Sequence, residues 1–248
     1  GDLTFIPVSA LHGDNVVNRS ENMPWYQGTS LLHHLEEVHI ASDRNLIDAR
    51  FPVQYVLRPQ NDEHHDYRGY AGNVVGGVFK PGDDVVALPS GLPTKIRRID
   101  TIDGPVAEAF APMAVTLLLE DDIDISRGDM ICRPNNQPTS GQDIEAMVCW
   151  MTEQSQLAPG AKLAIKHTTR SGRALVKGLQ YRLDINTLHR DESATSLALN
   201  EIGRVTLRTT TPLFFDEYRR NRQTGSFILI DEATNNTVAA GMIIGAAS

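Results

Sequence analysis

The sequence predicts a mainly β protein: two consecutive β-barrels preceded by a terminal strand-and-helix piece. Three observations carry this expectation. From about residue 50 onward, short runs of Val, Ile, Leu and aromatic residues are punctuated by Gly, Pro and Asp, the pattern of strands joined by tight turns. A polar, turn-rich stretch, "PNNQPTSGQD" at 134–143, divides those runs into two sets. Helical spacing of apolar residues stands out in only one segment, near the start.

The first element is the apolar run Leu3 to Val8 in "LTFIPVSALHGDNV", which breaks at Ser9 into small and polar residues with Gly13 and Asp14 as turn formers. A strand so apolar belongs inside a parallel sheet covered by helices on both faces. This segment supplies no second strand, so it is expected to be the last β–α piece of a larger α/β domain. The loop "NMPWYQG" follows, then a helix with Thr29 or Ser30 as N-cap and Leu31, Leu32, Leu35 and Val38 on one face. These elements set the first boundary, residues 1–42.

After the charged stretch "ASDRNLIDAR", the expected strands are "FPVQYVLR", "GYAGNVVGG", "DDVVALP", "TKIRRIDTI", "AVTLLLE" and "DMICRP". Six strands in about 85 residues predict a small closed barrel over 50–137, a form that leaves few exposed edges. Glycines at 69, 72, 76 and 77 predict a corner or a close backbone approach. A second all-β set, "IEAMVCWM", "AKLAIKHTT", "RALVKGLQYRLDI", "IGRVTLRTT", "SFILID" and "TVAAGMII", predicts another barrel over 142–248.

The 248 residues are 41% hydrophobic and 22% charged, enough to bury a sizeable core. No run approaches the ~18 apolar residues of a membrane span, and the first residues lack a signal peptide's zones. A cytoplasmic chain with no membrane partner is expected. The net charge is −8, with −4 before residue 51, −5 over 51–141 and +1 thereafter. Such a chain lacks the positive field that drives nonspecific nucleic-acid binding. Arg219, Arg220 and Arg222 form a basic group that reads as solvated surface. Cys132 and Cys149 lie in apolar runs without ligand spacing and read as buried thiols. "DEHHD" at 62–66 and the acidic run 120–124 read as solvated loops rather than metal sites. The phosphate-cradling pattern GxxxxGK[ST] is missing.

Taken together, "VSALHGDNV", "NMPWYQG" and "LLHHLE", followed by "AGNVVGGVFKPGDDV", resemble the tail of a translation-factor-type GTPase. "FPVQYVLRP", "DYRGYAG", "LEDDIDISRGDMI", "YRLDINTL", "LNEIGRV" and "GSFILIDEATNNTVAAGMI" are similar to the branch formed by the large, GTPase subunit of sulfate adenylyltransferase. The resemblance covers essentially the whole chain; the loop "QNDEHHD" is longer than that pattern. It implies the C-terminal remnant of a P-loop GTPase domain followed by translation-factor barrel domains 2 and 3. It also implies that Ser9, Ala10 and Leu11 are guanine contacts in an intact subunit, where GTP and Mg bind. Trp25, Tyr26, Arg68 and Tyr70 are expected at contacts with a partner or between domains. The implied partners are a small catalytic subunit, the chain's own GTPase domain and, in some relatives, a fused adenylylsulfate kinase domain. Catalytic residues and metal ligands are not expected in this chain, which should neither bind nor hydrolyse GTP alone. The competing expectation is an elongation-factor-like pair of barrels gripping aminoacyl-tRNA.

Overall fold

The computed structural model describes residues 4–37, 45–59 and 67–247, and within it the chain forms two units, 1–43 and 44–248. The "DEHHD" loop and Val38 lie outside the described residues.

The N-terminal unit contains the helix α1 (Leu31–Glu37), none of whose residues is buried. Residues 4–8 form no strand, and Phe5 is exposed. The expected buried strand is therefore absent, for a physical reason: an apolar run buries its faces and satisfies its backbone only when neighbouring strands pair with it. What order the unit has comes from Asn15, which is buried and holds a positive φ of 56°. Its side-chain amide donates to the Pro7 carbonyl at 2.9 Å, and its Oδ1 accepts from the Ser20 amide at 2.8 Å. The amides of Leu31 and Leu32 donate to the carbonyls of Asn15 and Val16, which satisfies two orphan donors at the helix start.

The second unit begins with the strands β1 (Arg50–Leu57), β2 (Gly69–Asn73), β3 (Val78–Phe79), β4 (Asp84–Leu88), β5 (Leu92–Thr101) and β6 (Gly104–Pro105). β7 (Ala109–Phe110), β8 (Ala114–Leu119) and β9 (Met130–Cys132) follow. All pairings are antiparallel, and six of them close a circuit: β1 to β2, β8, β5, β4, β9 and back to β1. Phe51, Val53, Tyr70, Ile96, Ile99 and Leu117 fill this barrel. The alternation that put Ile96 and Ile99 inside is offset by one residue, and the β5–β8 register shifts between Ile96 and Arg98 to accommodate it. The six long strands match the sequence expectation, whereas the two-residue strands β3, β6 and β7 carry too few side chains to show a period.

The remaining strands are β10 (Thr139–Trp150), β11 (Lys162–His167), β12 (Arg170–Leu183), β13 (Arg190–Asp191), β14 (Ile202–Phe215), β15 (Ser226–Ile230) and β16 (Thr237–Ala246). Their circuit runs β11, β15, β16, β10, β14, β12 and back to β11. Ile144, Ala146, Val148 and Trp150 alternate inward along β10 and meet Val205 and Leu207 of β14. β10 starts at Thr139, inside the stretch expected to be a linker. Thr139, Ser140 and Gly141 pair with Phe215, Phe214 and Leu213 of β14, with the Thr139 and Ser140 side chains exposed, and β16 joins on the other side from Ile144 onward.

Candidate functional site

The two barrels meet along a seam whose buried ion pair, Arg50 with Asp216, local sequence patterns leave unremarked. Arg50 opens β1 and is buried, its side chain 1% exposed. Its Nε and Nη2 donate to the two carboxylate oxygens of Asp216 at 2.9 and 2.8 Å, a bidentate pair spanning 166 residues. Its Nη1 donates to the Asn136 carbonyl at 2.6 Å and to Asn136 Oδ1 at 3.0 Å. Asp216 also accepts from the Thr224 hydroxyl at 2.8 Å, and the Thr224 carbonyl accepts from the His167 ring at 2.7 Å. Every atom that the buried guanidinium and carboxylate present to the interior is thereby engaged, the condition under which a buried ion pair is tolerated.

A second pair lies beside the first. Asp48, with a side chain only 3% exposed, accepts from Arg220 Nε at 2.6 Å and Nη2 at 2.7 Å. Asn45 and Asn136 donate to the same carboxylate at 2.5 and 2.8 Å. Burial alone would raise the Asp48 pKa, but the hydrogen bonds from Arg220, Asn45 and Asn136 outweigh it and hold the carboxyl well below the usual range. Arg220 is exposed, as expected, with its side chain 59% accessible, yet it also clamps the buried Asp48. Arg219 pairs instead with Glu217 at 2.5 Å on the outside.

Glycine explains how the backbones come close enough. A Cβ on Gly76 would lie 2.5 Å from the Asp48 carbonyl oxygen and 2.8 Å from the Asn221 side chain of the second barrel. Gly77 adopts a φ of 68° against the backbone of Ala49, a conformation open to glycine and strained for larger residues. The expected close approach therefore occurs, at the seam.

The far side of the seam is apolar. Phe214 of β14 packs with Val86 and Leu88 of β4 and Met130 and Cys132 of β9. Arg170 lies 5.0 Å above the Phe214 ring and donates to the Gly128 carbonyl at 3.1 Å. Burial pushes the Cys132 thiol up to about 12, so it acts as a small hydrophobe rather than a nucleophile.

The residues singled out in the sequence fall in different places. Ser9 pairs with Asp14 across a short loop, its amide donating to the Asp14 carbonyl at 3.2 Å and its carbonyl accepting from Gly13 at 2.8 Å. Ala10 and Leu11 occupy the tip of that loop, Leu11 88% exposed. Trp25 stands 69% exposed, edge-on to Tyr26, whose hydroxyl donates to the Thr29 carbonyl at 3.0 Å. Tyr70 is no contact for a partner: its ring is buried in the first barrel, and its hydroxyl donates to the Ile123 carbonyl at 2.7 Å. Arg68 stacks 5.6 Å from that ring and pairs with Asp122 and Asp124, which gives part of the acidic run 120–124 a local counter-ion. Among the described residues the loop of Ser9, Ala10 and Leu11 is exposed at its tip, and no step of nucleotide chemistry is assigned to it.

Residues 143–244 match the family described as GTP-eEF1A C-terminal domain-like. Across 98% of its length the chain is 62% identical to the bifunctional enzyme CysN/CysC of Mycobacterium tuberculosis, covering 40% of that protein. It is 51% identical, again across 98% of its length, to sulfate adenylyltransferase subunit 1 of Bacteroides fragilis, covering 50% of it. The chain thus spans about half or less of these curated relatives. Among solved structures, sup35 complexed with GMPPNP superposes with a TM-score of 0.75 at 21% identity, over 98% of this chain and 58% of that one, a likeness of fold alone. Across nearly its whole length the chain is therefore similar to sulfate adenylyltransferase subunit 1 and the CysN/CysC enzymes, and over residues 143–244 it matches the GTP-eEF1A C-terminal domain-like family.

Proposed function

We propose that this chain is the barrel portion of the GTPase subunit of a sulfate adenylyltransferase, and that it relays nucleotide state rather than performing chemistry itself. The observation that carries the reading is the identity to sulfate adenylyltransferase subunit 1 and CysN/CysC proteins over nearly every residue of the chain. Joining sulfate to the adenylyl group of ATP makes a phosphosulfate anhydride, a strongly uphill product, so the reaction needs coupling to a second source of free energy. GTP hydrolysis on the larger subunit supplies it, with Mg bound beside the nucleotide there, while a small catalytic subunit carries out adenylyl transfer. Coupling of this kind requires a body whose contacts differ between the two nucleotide states.

The seam suits that role. With Arg50 on Asp216, Asp48 on Arg220 and Phe214 in its apolar socket, a displacement imposed on one barrel is carried to the other. In the intact subunit Ser9, Ala10 and Leu11 meet the guanine, and Trp25 and Tyr26 fill the contact with the GTPase domain. An adenylylsulfate kinase domain on the same polypeptide is a feature of the reading for bifunctional members. Binding of a labelled GTP analogue tests the division of labour. The chain alone is expected to bind with no micromolar affinity, and adding it to the small subunit without its GTPase domain is expected to leave adenylyl transfer insensitive to GTP. Micromolar GTP binding by residues 1–248 would overturn the proposal.

A further inference from the structure

β12 runs 14 residues, and its last two pair with the short return strand β13, Arg182 with Asp191 and Leu183 with Arg190. Between them residues 184–189 form a tip fixed by five hydrogen bonds, one of them from the His189 amide to the Thr187 hydroxyl at 3.3 Å. The Asp184 amide donates to the His189 carbonyl at 2.9 Å and the Leu188 amide to the Asp184 carbonyl at 2.8 Å. The Asp184 carboxylate accepts from the amides of Asn186 and Thr187 at 2.8 and 3.1 Å, and those bonds lower its pKa and keep it ionised. Arg182 anchors the base through Asp191 at 2.9 Å and Glu201 at 2.7 Å, and Arg190 lies 5.0 Å over the Tyr181 ring.

This fixed tip presents apolar side chains to water: Ile185 is 63% exposed and Leu188 71%. A single exposed leucine is ordinary on a protein surface. Leu188 differs because it is also held at a φ of 58°, which a bulky side chain rarely adopts and Asn or Gly would hold with less strain. Strain retained at an exposed apolar position gains the fold nothing, and such outliers gather where a partner is met. The strand register places two more exposed apolar residues at this end of the barrel, Met151 just beyond β10 and Leu199 just before β14.

We infer that the 184–189 tip of the second barrel is an anchor that inserts Ile185 and Leu188 into an apolar pocket, rimmed by Lys or Arg, on the small catalytic subunit. The inference deepens the proposed function and rests on it. Charge selects the occupant. Residues 182–201 carry Asp184, Asp191, Glu192 and Glu201 against Arg182 and Arg190, a net charge of −2, so an anionic lipid surface or nucleic acid meets repulsion there. A second copy of this chain, with net charge −8, does likewise. A folded partner with a basic rim is favoured by both the apolar tip and the field around it.

The test is titration calorimetry of the small subunit with the protein and with its Ile185→Ser, Leu188→Asn double variant. Because both side chains point to solvent and Asn relieves the strained φ, the variant is expected to melt no lower than the parent. Its affinity for the small subunit is expected to fall at least about tenfold, as for the loss of a central apolar anchor. Binding within about twofold of the parent, with the parent itself binding, would overturn the inference and leave the functional reading standing. A parent that does not bind the small subunit overturns both. A parent that self-associates through a contact the variant loses reassigns the tip to a second copy and likewise overturns the inference.

Discussion

The N-terminal unit and the barrel unit use similar apolar residues to opposite ends. Phe5, Leu11, Trp25, Leu32 and Leu35 stand exposed, whereas Phe51, Tyr70, Ile96, Leu117 and Trp150 are among the most enclosed side chains of the barrels. Composition does not separate these two sets; pairing does. In the barrels each long strand has a neighbour on both sides, so alternate side chains are forced inward together. Among the described residues the N-terminal run has no flanking strand, and buried Asn15 organises it through bonds to Pro7, Ser20 and the first turn of α1. Apolar residues make a core only where a closed backbone network lines them up.

The contrast is broken most strongly at the seam. Arg50→Ala leaves the buried Asp216 carboxylate without its guanidinium and is expected to destabilise the barrel unit by about 3–5 kcal/mol, read by urea unfolding. Recovery of most of that loss in an Arg50→Met, Asp216→Leu double variant would show that the penalty comes from the stranded charge. Phe214→Ala empties the apolar socket on the other side and is expected to lose about 3 kcal/mol. If the two sides of the seam act independently, the combined loss with Arg50→Ala is additive.

Acid sharpens the same comparison with a smaller effect. The Asp48 pKa is depressed in the folded protein, so the stabilisation it brings is complete above the unfolded carboxyl value of about 4 and fades as pH falls below it. Asp48→Asn is expected to flatten the dependence of stability on pH between about 4 and 2, where the parent loses stability, and to leave the slope above pH 5 unchanged. Smallest of all, Leu11→Ala or Trp25→Ala in the N-terminal unit is expected to change stability by no more than about 0.5 kcal/mol. A loss several times larger from Trp25→Ala would mean that its ring is covered in solution.

The same physics decides what the sequence discloses. Strands such as β10 and β14 are legible because inward residues recur every second position over ten or more residues. The two-residue strands β3, β6 and β7 are not, since a period cannot register in two side chains. The seam was hidden for a different reason. Arg50 with Asp216 and Asp48 with Arg220 are joined across 166 and 172 residues, and a charge inside a polar stretch reads as surface until its partner is placed beside it. Gly76 and Gly77 were the available clue, because they announced a close approach without naming what approached. Tyr70 illustrates the converse: an aromatic next to an arginine suggests a contact surface, yet its position on β2 turns it into the barrel. Residues 4–8 form no strand here because apolarity alone does not supply neighbours.

Closure of both sheets limits how this molecule can recognise anything. In each circuit every long strand already has two neighbours, and the edges left among the described strands are two-residue pieces, one of them ending in Pro105. A visiting segment therefore finds no long strand free along its whole length, only stretches such as residues 177–181 of β12 that pair on one side, so strand addition has little to extend. Recognition falls to loops and side chains, whose chemistry varies from position to position and is less forgiving of an imperfect guest.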